Sequence, residues 1–299
     1  MRKAHSIPAL LRAITAVSCS VGVATGLALS PARAEDPKPD KSGYSLFNPT
    51  PESALRDFAA DRPAKSYGAT TIDAGHVQFE VELFNFTHQK MDGITTHTYV
   101  GPNPTARIGL TNNIELQLNI APFVHQHVHD STLDTSSSAS GVSDFFARAK
   151  INLWGNEGGR SAFALMPYIK AGTAPESLGG NRATEYGIIA PLAFDLQNNV
   201  SLVFNSELDH LKNANDSNYH GQFVQTVGLS GPIAKDVTLT GEFWTQQTFD
   251  PAGHVRQYSF DTALAWTPQK NLQFDVGANF GLNKETPALQ VYTGITRRF

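Results

Sequence analysis

Cysteine is almost absent: the 299-residue chain has one, Cys19, and it lies in a stretch expected to be removed. The mature protein then has no disulfide and no thiol nucleophile. Long apolar runs are also missing. After the N-terminal region none approaches the roughly 18 to 20 residues of a membrane helix, so helical spans are excluded, while strands that alternate their faces are not. Basic charge is scarce too. Removal of residues 1–34 takes Arg2, Lys3, Arg12 and Arg33 from the 23 basic residues, leaving 19 against 27 acidic, and so acidic a chain argues against nucleic-acid binding. No nucleotide loop and no Gly-x-Ser-x-Gly elbow occurs, so neither a cofactor nor energy coupling is expected.

What is present begins with a signal peptide. Arg2, Lys3, His5 and Arg12 precede a small-residue apolar stretch to about Leu29, followed by Ala32-Arg33-Ala34, an Ala-x-Ala cleavage site. Residues 35–75 are rich in Pro, Asp, Lys, Ser and Gly, and are expected to form a periplasmic leader or partial plug. Within them Pro51–Ala60 reads as a short helix, with Leu55, Phe58 and Ala59 on one face.

From His76 onward apolar and polar residues alternate. Twelve segments follow: 76–88, 96–111, 113–127, 142–155, 160–172, 183–197, 199–211, 219–231, 236–248, 256–267, 271–282 and 288–299. Each has about the nine to eleven residues a tilted membrane strand needs, with some overhang. In the eleventh, Leu272, Phe274, Val276, Ala278 and Phe280 alternate with Gln273, Asp275, Gly277 and Asn279. The links alternate as well. TNN, GNEGGR, QNN, GPIAKD and PQKN are short, whereas HDSTLDTSSSASG, TAPESLGGNRA and KNANDSNYH are long and polar. The expected fold is all-β, an up-and-down antiparallel transmembrane barrel of residues 76–299, in the outer membrane of a Gram-negative bacterium. The last strand, amphipathic up to Phe299, has an edge that only the first strand can cover.

Alternation assigns Glu80, Glu82, Glu115, Asp144, Arg148, Lys150, Glu207, Asp209, Glu242, Asp261, Asp275 and Arg298 to the lumen. A charged side chain at the lipid midplane costs about 2–4 kcal/mol, so inward charge is the rule in such barrels. Asp144, Arg148 and Lys150 form either a constriction that orients a polar solute or part of a salt-bridged filling. His125, His127 and His129 share a parity with Glu115 and Gln117, and are a candidate Zn or Cu site. Ser, His and Asn are abundant enough for a hydrolase, Ser206, His210 and Asn205 for example, though nothing in their spacing ties nucleophile to base.

Three stretches carry a family resemblance: Phe47-Asn48-Pro49-Thr50-Pro51 with Asp61-Arg62-Pro63 and Asp73-Ala74-Gly75-His76; Gly141-x-x-Asp144-x-x-x-Arg148-x-Lys150; and Gly294-Ile295-Thr296-Arg297-Arg298-Phe299. Together they resemble the outer-membrane transporter family named for the MetA-pathway of phenol degradation. Ser66-Tyr67-Gly68 departs from the Ser-Pro-Tyr turn expected there. The resemblance implies a porin-like channel or passive transporter for small solutes, hydrophobic or aromatic compounds among them. The alternatives are a barrel hydrolase, and a structural or metal-binding barrel without transport. Expected partners are outer-membrane lipid, a small-molecule solute and, through the terminal Phe299, the barrel-assembly machinery.

Overall fold

The computed structural model describes residues 40–299. The proposed signal peptide lies outside the described residues. Fifteen strands make one sheet: β1 (Val77–Met91), β2 (Ile94–Val100), β3 (Asn103–Gly109), β4 (Ile114–Asn119), β5 (Val124–Asp130), β6 (Thr135–Gly141), β7 (Phe145–Trp154), β8 (Ser161–Ala171), β9 (Glu185–Asp195), β10 (Ser201–Lys212), β11 (Tyr219–Ala234), β12 (Val237–Thr248), β13 (Val255–Gln269), β14 (Leu272–Gly281) and β15 (Leu289–Arg298). β2 with β3, β4 with β5, and β6 with β7 are each one wall strand interrupted, so the wall has twelve staves. β15 pairs antiparallel with β1 and closes the ring. The main chains of Val77 and Phe299 exchange both hydrogen bonds of that last contact, at 3.3 and 2.8 Å.

The faces are inverted relative to a water-soluble sandwich. On β14, Gln273, Asp275 and Asn279 are buried while Phe274, Val276 and Phe280 are 39–53% exposed. Phe79, Phe243, Phe260 and Trp266 are outward in the same way. An outer surface of this kind is stable only against hydrocarbon, and the fold is a transmembrane β-barrel of the outer-membrane type.

The interruptions correct the expected strands. Segment two breaks at Gly101-Pro102, where proline has no N–H to give the ladder, and segment three at residues 120–123, which contain Pro122. The expected long loop 129–141 is mostly strand: β5 and β6 form a hairpin turning at residues 131–134. Asp92-Gly93, both at positive φ, makes a two-residue turn between β1 and β2. The upper parts of β1, β2, β5 and β6 thereby form a four-stranded extension above the closed ring. Pro51–Ala60 is not a helix. Only a 3-10 turn at Glu52–Ala54 forms, and the chain is extended on either side of it.

Candidate functional site: the occupied lumen

The polar inner face is covered by residues 56–73, whose main chain is held by carboxylates of the wall. Glu80 accepts from the N–H groups of Asp61 and Arg62, both at 3.0 Å. Glu242 accepts from Lys65 N–H at 2.7 Å and Ser66 N–H at 3.3 Å, and also from the Ser66 hydroxyl. Glu115 accepts from Ile72 N–H at 2.7 Å. Asn205 brackets Tyr67, accepting from its N–H at 2.7 Å and donating to its carbonyl at 3.0 Å. These anchors come from β1, β4, β10 and β12, so the segment crosses the lumen.

Side chains complete the hold. Arg62 Nη2 lies 2.6 Å from Asp275 and Nη1 3.3 Å from Glu82. Lys65 Nζ is 3.2 Å from Asp261 and sits over the ring of Trp244. Asp61 is held by Lys150 at 2.8 Å and Arg107 at 3.4 Å. Burial alone would push the Asp61 carboxyl up, but those two cations outweigh it and hold it down to about 2. Two wall glycines make the room. A β-carbon on Gly294 would come within 2.4 Å of the Arg62 guanidinium, and one on Gly277 within 2.4 Å of the Tyr292 ring, whose hydroxyl donates to the Pro63 carbonyl.

Arg107 is the hub of the network, and the sequence reading passed over it. Its guanidinium, 2% exposed, reaches Glu80 at 2.8 Å and Glu115 at 2.9 Å as well as Asp61. Segment two is disturbed by Pro102 and Pro104, which hid the inward parity of Arg107. Its pairing opposite Gln78 on β1 and Gln117 on β4 makes that parity plain.

All twelve residues assigned to the lumen by alternation lie on the inner face or at its rim, but they do not form one ladder. Asp144 and Glu185 share Lys170 near the loop end. Lys150 belongs to the Asp61 and Glu115 cluster. Asp209 accepts from Tyr168 and Gln222, and Glu207 faces inward beside it. Arg298 donates to Asn271 at 2.6 Å and to the Arg56 carbonyl at 3.0 Å. Arg148 packs on Phe146 and Tyr67. The segment leaves space on both sides. A cavity of about 700 Å³ opens toward the short-turn end, bordered by Asn156, Asp195 and Arg298. One of about 230 Å³ lies on the other side, between Tyr67 and Arg148.

The expected metal site does not assemble. His125, His127 and His129 face outward, because the break at 120–123 reverses the parity carried from Glu115. Each engages a serine of β6 through Nδ1, at 2.8–3.0 Å. Across β2, His97 meets His88 at 2.9 Å and Tyr99 packs on Phe86 and His125. Among the described residues no group of three or more His, Cys, Asp or Glu is placed to hold a metal ion. The hydrolase residues also separate. Asn205 points inward to Tyr67, while Ser206 donates to Gln225 on the outer face.

A closed twelve-stave ring, a charged lumen and a lipid-facing apolar coat define an outer-membrane barrel. The chain belongs to the family described as "Putative MetA-pathway of phenol degradation", which matches residues 60–299. It is similar to the crystal structure of the COG4313 outer membrane channel from Pseudomonas putida F1, with a TM-score of 0.61 and 12% identity over 79% of this chain and 100% of that one. It also resembles the translocator domain of autotransporter NalP from Neisseria meningitidis, with a TM-score of 0.47 and 11% identity over 75% of this chain and 88% of that one. At 12% identity, what the chain shares with the Pseudomonas channel is the fold. No curated protein matches the chain.

Proposed function

We propose that this protein is a passive outer-membrane channel for small solutes, in which residues 56–73 act as a plug that sets the width of the path. One observation carries the reading: a lumen rich in polar and charged groups, with open space on both sides of a segment held mainly by hydrogen bonds and ion pairs, beside a small apolar contact of Ala69 with Ala162 and Ala164. Such tethers exchange with water at modest cost, whereas a hydrophobic core would not. The membership supports small solutes, and the similar Pseudomonas protein is a channel by its own description. The terminal strand ending in Phe299 is the segment offered to the assembly machinery, and residues 1–34 are the export signal.

Planar-bilayer recording tests the proposal. Intact protein is expected to give small, fluctuating conductance, and Arg62→Ala with Lys65→Ala is expected to raise it several-fold by loosening the plug. Absence of conductance in both would overturn the channel reading. Ester hydrolysis lost on Ser206→Ala would replace it with the enzyme reading, for which no assembled site speaks.

A further inference from the structure

Toward the loop end the outer surface of three neighbouring staves changes character in the same order. On β1, Val81 and Phe84 are followed by Phe86 and then by His88 and Lys90. On β3 and β2, Ile108 and Ala106 are followed by Tyr99 and then by His97. On β4 and β5, Leu116 and Leu118 are followed by Phe123 and then by His125, His127 and His129. The apolar band of a barrel wall faces hydrocarbon and an aromatic girdle marks its edge, so the five imidazoles stand just beyond it, at the depth of the outer-leaflet headgroups. Strand register sets His88, His97 and His127 side by side, with ring nitrogens of His88 and His97 2.9 Å apart. Their other outward neighbours, Thr95 of β2, the three serines of β6 and Leu289 of β15, carry no charge.

We infer that this outer face binds the phosphate groups of outer-leaflet lipid, and does so in acid. The carboxylates nearest it are Asp92, Asp130 and Asp134 at the two hairpin turns, of which Asp130, held by the Thr132 hydroxyl, is close enough to interact with His129. In the adjoining β14–β15 loop, Lys284 and Glu285 face each other at 4.0 Å. Above neutrality the face and its turns thus set one cation, Lys90, against three carboxylates. An imidazole takes up its second proton at about pH 6.5, so acid adds up to five positive charges and reverses the sign. His125, His127 and His129 engage their serines through Nδ1, which leaves Nε2 as the donor toward an anion. The bond between His88 and His97 needs one ring neutral, and a phosphate oxygen between them would replace it and let both charge. The position selects lipid over a free anion: acyl chains can lie along Phe86, Tyr99 and Phe123 while the headgroup meets the imidazoles. The inference concerns the outer wall and stands whether or not the barrel conducts.

The test is binding of lipid A, a glycolipid with two phosphates, to the full detergent-solubilised protein at pH 5.5 and pH 7.5, by native mass spectrometry or thermophoresis. A lipid phosphate itself loses charge on acidification, its second proton binding at about pH 6, so a gain in affinity with acid has to come from the protein. Binding is expected to be at least fivefold tighter at the lower pH. The variant carrying His88→Gln, His97→Gln, His125→Gln, His127→Gln and His129→Gln keeps side chains that can bond the serines, and should match the parent at pH 7.5 while losing the acid gain. Heat-modifiable migration would show that its barrel folds. The same lipid stripped of its phosphates should show no acid gain in either protein. An acid gain that survives in the variant, or that the stripped lipid shares, would overturn the inference. Displacement of lipid A by an equal concentration of inorganic phosphate would overturn it too, by showing a site for a free anion.

Discussion

The guanidinium of Arg62 occupies the space that Gly294 leaves bare on the closing strand, and from there it reaches Asp275 on β14 and Glu82 on β1. Gly294→Ala puts a methyl group into that space and forces Arg62 off its partners. The variant should resemble Arg62→Ala in raising both conductance and protease cleavage within residues 56–73. Combining the two should add little, within about 0.5 kcal/mol of either alone, because both remove the same contact. Full additivity in a double-mutant cycle would show that the glycine serves something else.

Arg107→Ala leaves Glu80 buried without its cation and Glu115 with only Lys150, at 3.6 Å. Removing one partner of a buried pair costs about 3–5 kcal/mol. The heat-modifiable gel transition should move to clearly lower temperature, with Arg107→Lys falling between, since an ammonium cannot span three carboxylates as the planar fork does.

Acid should release the plug over a defined window. Asp61 is held at about 2 in the folded chain against an ordinary value near 3.8. A depressed carboxylate stabilises the fold fully above its unfolded value and progressively less as pH falls toward the folded one. Protease accessibility of residues 56–73 should stay flat from neutral pH to about 4 and rise between about 4 and 2. Asp61→Asn should abolish that step and show high accessibility throughout.

The outward histidines lead to a negative outcome for metal. His125, His127 and His129 stand two residues apart along one strand, each engaged with its own serine. Their triple alanine variant should titrate zinc as the parent does. A stoichiometric site lost in calorimetry would contradict the outward geometry.

The wall was legible in the sequence because a barrel in lipid imposes period two on every stave. On β14 and β15 the buried and exposed residues fall where alternation puts them, with Tyr292, Thr296 and Arg298 inside. Alternation fails where the chain skips a step. The bulge between Glu82 and Phe84 and the break at 120–123 each flip the face, and the second is why three histidines that share the parity of Glu115 face outward. Asp92-Gly93 carried a hairpin signal that marks the first turn better than composition does. The path of residues 56–73 had no such signal. Their anchors are largely main-chain N–H groups, which every residue but proline supplies alike.

The plug and the ring share a seam. Arg62 and Pro63 rest against Gly294 and Tyr292 of the last strand, while Glu80 and Glu82 of the first strand hold Asp61 and Arg62. The segment precedes the first strand of the ring, and the contacts on β15 come from the strand that closes it. Biogenesis is thus ordered: residues 56–73 must be gathered between the two terminal staves as these meet, and an insertion intermediate that zips shut without them would be an emptied, acid-lined ring.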